Sequence, residues 1–83
     1  MEQTSRVAAM SIIIENPDAV EEVNKILHEG REYIIGRMGV PYRQKNVNII
    51  TIVLDAPQPV TSGISGRIGR LPGVFVKTVY SNV

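Results

Sequence analysis

An α+β sandwich in the order βαββαβ, with one antiparallel four-stranded sheet and two helices on one of its faces, is the fold class that the sequence predicts. Three observations carry it. Four runs rich in β-branched residues lie at 6–15, 33–40, 47–55 and 74–80. Two stretches with helical spacing, each opened by proline, separate the first run from the second and the third from the fourth. Only the short stretch 42–46 joins the second and third runs, a length suited to a hairpin. Right-handed crossovers then place both helices on one side of the sheet, the ferredoxin-like arrangement.

At 83 residues the chain fits one domain, and such a domain buries only about 60 to 65 per cent of its unfolded surface. Residues 1–5 are polar and read as a disordered tail, leaving 6–83 as a single unit. In the first run, Ala8, Met10, Ile12 and Ile14 alternate with Val7, Ala9, Ser11 and Ile13, so both faces are largely apolar. One face packs on the helices. The other calls for a cover, and a second copy of the chain supplies it, as a homodimer or homotetramer built through the sheet.

Asn16, Pro17 and Asp18 form a helix start: a capping side chain, a residue whose missing N–H costs nothing there, and an acid at the positive end of the dipole. Ala19, Val20, Val23, Ile26 and Leu27 make the apolar face of a helix over 17–29, with Glu21 and Lys25 as an i,i+4 pair opposite and Gly30 as a left-handed exit. The second strand contains Gly36 and Gly39, marks of a bulge or a close approach, and Pro41 ends its pairing. Residues 47–55 alternate cleanly. Pro57 and Pro59 close that strand and open a helix whose stripe is Val60, Ile64 and Ile68, with Leu71 near its end, before Pro72 and Gly73 stop it. Gly63, Gly66 and Gly69 each cost about 0.8 to 1 kcal/mol there, which suggests a close approach by the first helix or by a neighbouring subunit.

Composition removes several functions. Without cysteine there is no disulfide framework, thiolate metal site or cysteine nucleophile, and a reducing, cytoplasmic location is expected. The longest apolar stretch, 7–14, is too short to span a bilayer, and no small-residue cleavage site follows it, so no membrane association is expected. Charge is uneven: residues 1–32 hold seven acids and three bases, net −4, whereas 33–83 hold six bases and one acid, net +5. A one-sided basic surface attracts anions or nucleic acid.

The segments Arg37-Met38-Gly39-Val40-Pro41-Tyr42-Arg43 and Ser65-Gly66-Arg67-Ile68-Gly69-Arg70-Leu71-Pro72-Gly73-Val74, with Val76-Lys77-Thr78 and the weaker Val23-Asn24-Lys25-Ile26-Leu27-His28, resemble the iron-only hydrogenase system regulators. These are small single-domain relatives of the ACT fold. The resemblance implies an ACT-like domain acting as a sensor or effector in the maturation or expression of iron-only hydrogenases. The layout is also similar to the effector half of the nickel-responsive repressors, but His28 alone cannot build their metal site, and residues 1–5 are too few for their DNA-binding segment. Neither a metal nor another cofactor is assigned.

His28 falls toward the charged side of its helix, and Glu21, Glu22 and Glu29 read as its solvated face. No nucleophile, base and orienting group occur together, so no catalytic residue is assigned and a non-enzymatic role is expected. Arg37, between Gly36 and Met38, has room beside it for an anionic group, which makes Arg37, Gly39, Tyr42 and Arg43 the candidate site for a small-molecule effector. The alternative is a nucleic-acid binder using Arg43, Lys45, Arg67 and Arg70 as a basic patch. The aromatic stacking platform of RNA-recognition domains is missing from the first and third strands.

Overall fold

The computed structural model describes residues 4–83. β1 (Ser5–Ile14) buries Ala8, Met10, Ile12 and Ile14, which are at most 1% exposed. It pairs along its length with β3 (Val47–Pro57), Ser5 opposite Pro57 and Ile14 opposite Asn48. On its other side it pairs with β4 (Val74–Tyr80), and β3 pairs with β2 (Ile34–Tyr42). All pairs are antiparallel, in the order β2-β3-β1-β4. Most of the expected tail lies outside the described residues; Ser5, counted with it, is already in β1. β3 also runs two residues beyond the expected Asp55, because Ala56 and Pro57 still find partners in Arg6 and Ser5.

The first helix begins as a 3-10 turn (Pro17–Ala19) and continues as α1 (Val20–Glu29). Asn16 Oδ1 accepts the Asp18 N–H at 3.1 Å, while the Ala19 N–H bonds the Asn16 carbonyl three residues back at 3.0 Å, which tightens the first turn. α1 buries Val23, Ile26 and Leu27. α2 (Gln58–Gly69) follows Pro57 and buries Thr61, Ile64 and Ile68, so its inward stripe is turned toward Thr61 and leaves Val60 only half-buried. The Thr61 hydroxyl is fully enclosed without a protein hydrogen-bond partner.

Three local expectations are corrected. Gly30 has φ −97°, an ordinary right-handed value, so it is no left-handed exit; a Cβ there would lie 2.9 Å from Ile64 Cδ1, and its absence lets α2 come close. Gly63, Gly66 and Gly69 have nothing within 4 Å of the Cβ each lacks, so the glycine row does not admit α1. Pro41 does not end the second strand but sits inside it, opposite Asn48. β2 is an edge strand, where a residue without an N–H can face away from the ladder.

The two ends of the chain are clasped together. Arg6 donates from Nε to the Ser81 carbonyl at 2.9 Å and from Nη1 to Gln58 Oε1 at 3.0 Å, with its guanidinium 5.2 Å from the centre of the Tyr80 ring. Among the described residues no helix is long and apolar enough to cross a membrane.

Candidate functional site

β2 carries an irregularity that decides where its side chains point. Ile34 lies opposite Leu54 and Gly36 opposite Val53, so Ile35 is an extra residue, a β-bulge at the position the glycines suggested. Side chains alternate along a strand, so one inserted residue exchanges the faces of everything after it. Counting on from Ile34 without the bulge puts Arg37 opposite Thr51, on the face away from the helices. With it, Arg37 lies opposite Ile52, on the helix side.

There the Arg37 guanidinium donates from Nη2 to Oδ1 of Asn24 on α1. Arg31, in the 3-10 turn after α1 (Arg31–Tyr33), donates from Nη1 to the His28 carbonyl at 2.9 Å. Between α1 and β2 lies an open cavity of about 590 Å³ lined by these groups, by Lys25 and Glu21, and by the apolar side chains of Leu27 and Ile34. Among the described residues the one ion pair is Arg67–Glu29, at 2.9 Å. Lys25, Arg31 and Arg37 therefore face the cavity without a carboxylate partner, and the expected Glu21–Lys25 pair is not formed. Among the described residues no three potential metal-ligating side chains cluster.

The four residues nominated from sequence do not converge on this cavity. Gly39 shares the face of Arg37, opposite Ile50, with nothing within 4 Å of the Cβ it lacks. Tyr42 lies opposite Val47 on the other face, its hydroxyl donating to Gln44 Oε1 at 2.6 Å, and Arg43 sits in the 3-10 turn (Arg43–Lys45) that joins β2 to β3. Of the alternative basic set, Lys45 shares that turn, Arg70 caps α2, and Arg67 is engaged by Glu29. Asn24 and His28 stand four residues apart on one side of α1, a spacing visible in the sequence, whereas Arg31 joins them from the turn after the helix.

The opposite face of the sheet is a second candidate surface. Register builds three rows across it: Gly36, Val53, Ala9 and Val79; Met38, Thr51, Ser11 and Lys77; Val40, Ile49, Ile13 and Phe75. Lys77 is the one charge in the three rows. Met38, Phe75 and Val79 are 61%, 55% and 72% exposed. Tyr42 and Val47 extend the face at one end, and Val7 opposite Asp55 at the other, so its apolar surface lies mainly in the two outer rows, on either side of Thr51, Ser11 and Lys77.

Among solved structures, the uncharacterized protein TM1266 from Thermotoga maritima matches with a TM-score of 0.88 and 35% identity, covering 92% of this chain and 96% of that one. A formyltetrahydrofolate deformylase from Pseudomonas putida matches at TM-score 0.67 and 16% identity over 93% of this chain but 29% of its own. The de novo designed protein Foldit4 matches at TM-score 0.66 and 11% identity, over 95% and 98%. The last two are similar in fold alone. No curated protein matches the sequence significantly. The family model for the TM1266-like iron-only hydrogenase system regulators matches residues 6–78, and the chain belongs to that family.

Proposed function

We propose that this chain is a non-enzymatic sensor or effector domain that regulates the maturation or expression of iron-only hydrogenases. It assembles as a homodimer or homotetramer through the open face of its sheet, and a small-molecule effector alters that assembly. The observation that carries this reading is the open face itself: three rows over four strands with a single charge, on a domain too small to leave so much apolar surface in water without cost. The family supports the regulatory role.

Contact with nucleic acid through Arg43, Lys45, Arg67 and Arg70 is the competing reading. It is disfavoured because Arg67 is held by Glu29 and the remaining cations are divided between a hairpin turn and a helix end. Native mass spectrometry of the protein taken from the cells that make it reads subunit number and retained ligand together. An even-numbered assembly carrying a small molecule is the expected result. A bare monomer contradicts the proposal.

A further inference from the structure

The cavity between α1 and β2 concentrates charge in a way the fold does not require. Arg37 is on the helix side only because Ile35 is inserted into β2, and bulges beside functional sites characteristically re-aim a side chain. Arg37 then meets a neutral amide, Asn24, and not a carboxylate, and shares the cavity with Lys25 and Arg31, which have no ion-pair partner among the described residues either. Within the lining three cations meet the single carboxylate of Glu21; Lys25 also borders Asp18 and Glu22 on its far side, so the positive excess is centred on Arg31 and Arg37.

We propose that this cavity is a binding site for a small organic anion, a carboxylate or phosphate ester attached to an apolar body. Each guanidinium spends one arm on a neutral acceptor, Asn24 Oδ1 for Arg37 and the His28 carbonyl for Arg31. That contact orients the planar fork while leaving donors free, the arrangement that receives two oxygens of a carboxylate or phosphate. Lys25 adds a point charge, and Leu27 and Ile34 give an apolar surface for the rest of the ligand. A volume of about 590 Å³ is that of a metabolite site. The inference rests on the reading of the chain as an effector-responsive domain and supplies the class of effector.

Titration of the ¹⁵N-labelled protein with phenyl phosphate, with benzoate and with neutral benzamide tests it by amide NMR. Saturable shifts centred on Asn24, His28 and Arg37 with either anion support the site, and which anion binds more tightly separates phosphate from carboxylate. Arg37→Gln and, separately, Arg31→Gln weaken that binding about tenfold or more, while Arg43→Gln leaves it unchanged. Absence of saturable shifts, equal binding of benzamide, or shifts that spread over all cationic residues and survive both cavity substitutions overturn the proposal. Light scattering on the same samples separates the two readings: an intact assembly that binds neither anion removes the site alone, and a monomer that binds removes the assembly alone.

Discussion

Two glycines separate backbone requirement from mere proximity. Gly73 has φ +74°, and a Cβ there would stand 2.7 Å from Asn16 Cβ and 3.2 Å from the Asn16 nitrogen, where its own carbonyl also accepts the Glu15 N–H at 2.8 Å. Gly73→Ala therefore combines a left-handed backbone with a collision against main chain. A loss of about 2 to 4 kcal/mol is expected in chemical denaturation. At Gly30 the obstacle is only the tip of Ile64 and φ is ordinary, so Gly30→Ala costs less than about 1 kcal/mol. Equal losses at both positions would contradict this division. The sequence announces Gly30 and Gly73 in the same way, as glycines after helices. Which one needs the left-handed region depends on the contact between Gly73 and Asn16, far apart in the chain. Thr61 was illegible for a related reason: a hydroxyl at an inward position reads as polar surface until the helix is docked.

At the scale of elements, strands and helices were legible because their alternation and spacing are local. The bulge in β2 was only half legible. Gly36 hinted at it, but glycines at 36 and 39 carry no side chain to report a face, so the direction of Arg37 was hidden until Ile34 and Gly36 found their partners in β3. Pro41 misled because edge position is a property of the sheet, not of the neighbouring residues. In α2, Gly63 and Gly66 lie within the helix with open space where a Cβ would go. Alanine at each should stabilise the protein by about 0.4 to 1 kcal/mol, visible as a higher melting temperature with unchanged solution mass. Destabilisation, or a loss of mass, would mean that a subunit packs against α2.

For the whole molecule, the βαββαβ order and the apolar second face were both readable in advance, since alternation in the first and third strands leaves Ile13, Ile49 and Val53 with no helix to cover them. The site was less readable, because Arg37, Asn24 and Arg31 come together only where α1 and the turn after it meet β2. The proposed division of labour has one face for the core, one for a second copy, and a charged cavity beside the first. Solution mass by light scattering, for the natural sequence and for Ile13→Asp, tests it most directly. Ile13 is central in the open face and already 42% exposed, so the substitution costs the folded monomer little. The natural protein should have a mass that is an even multiple of 9.2 kDa, and the variant, with unchanged circular dichroism, should fall to 9.2 kDa. A natural protein at the monomer mass, or a variant that keeps its assembly, would contradict the sheet as the surface of association.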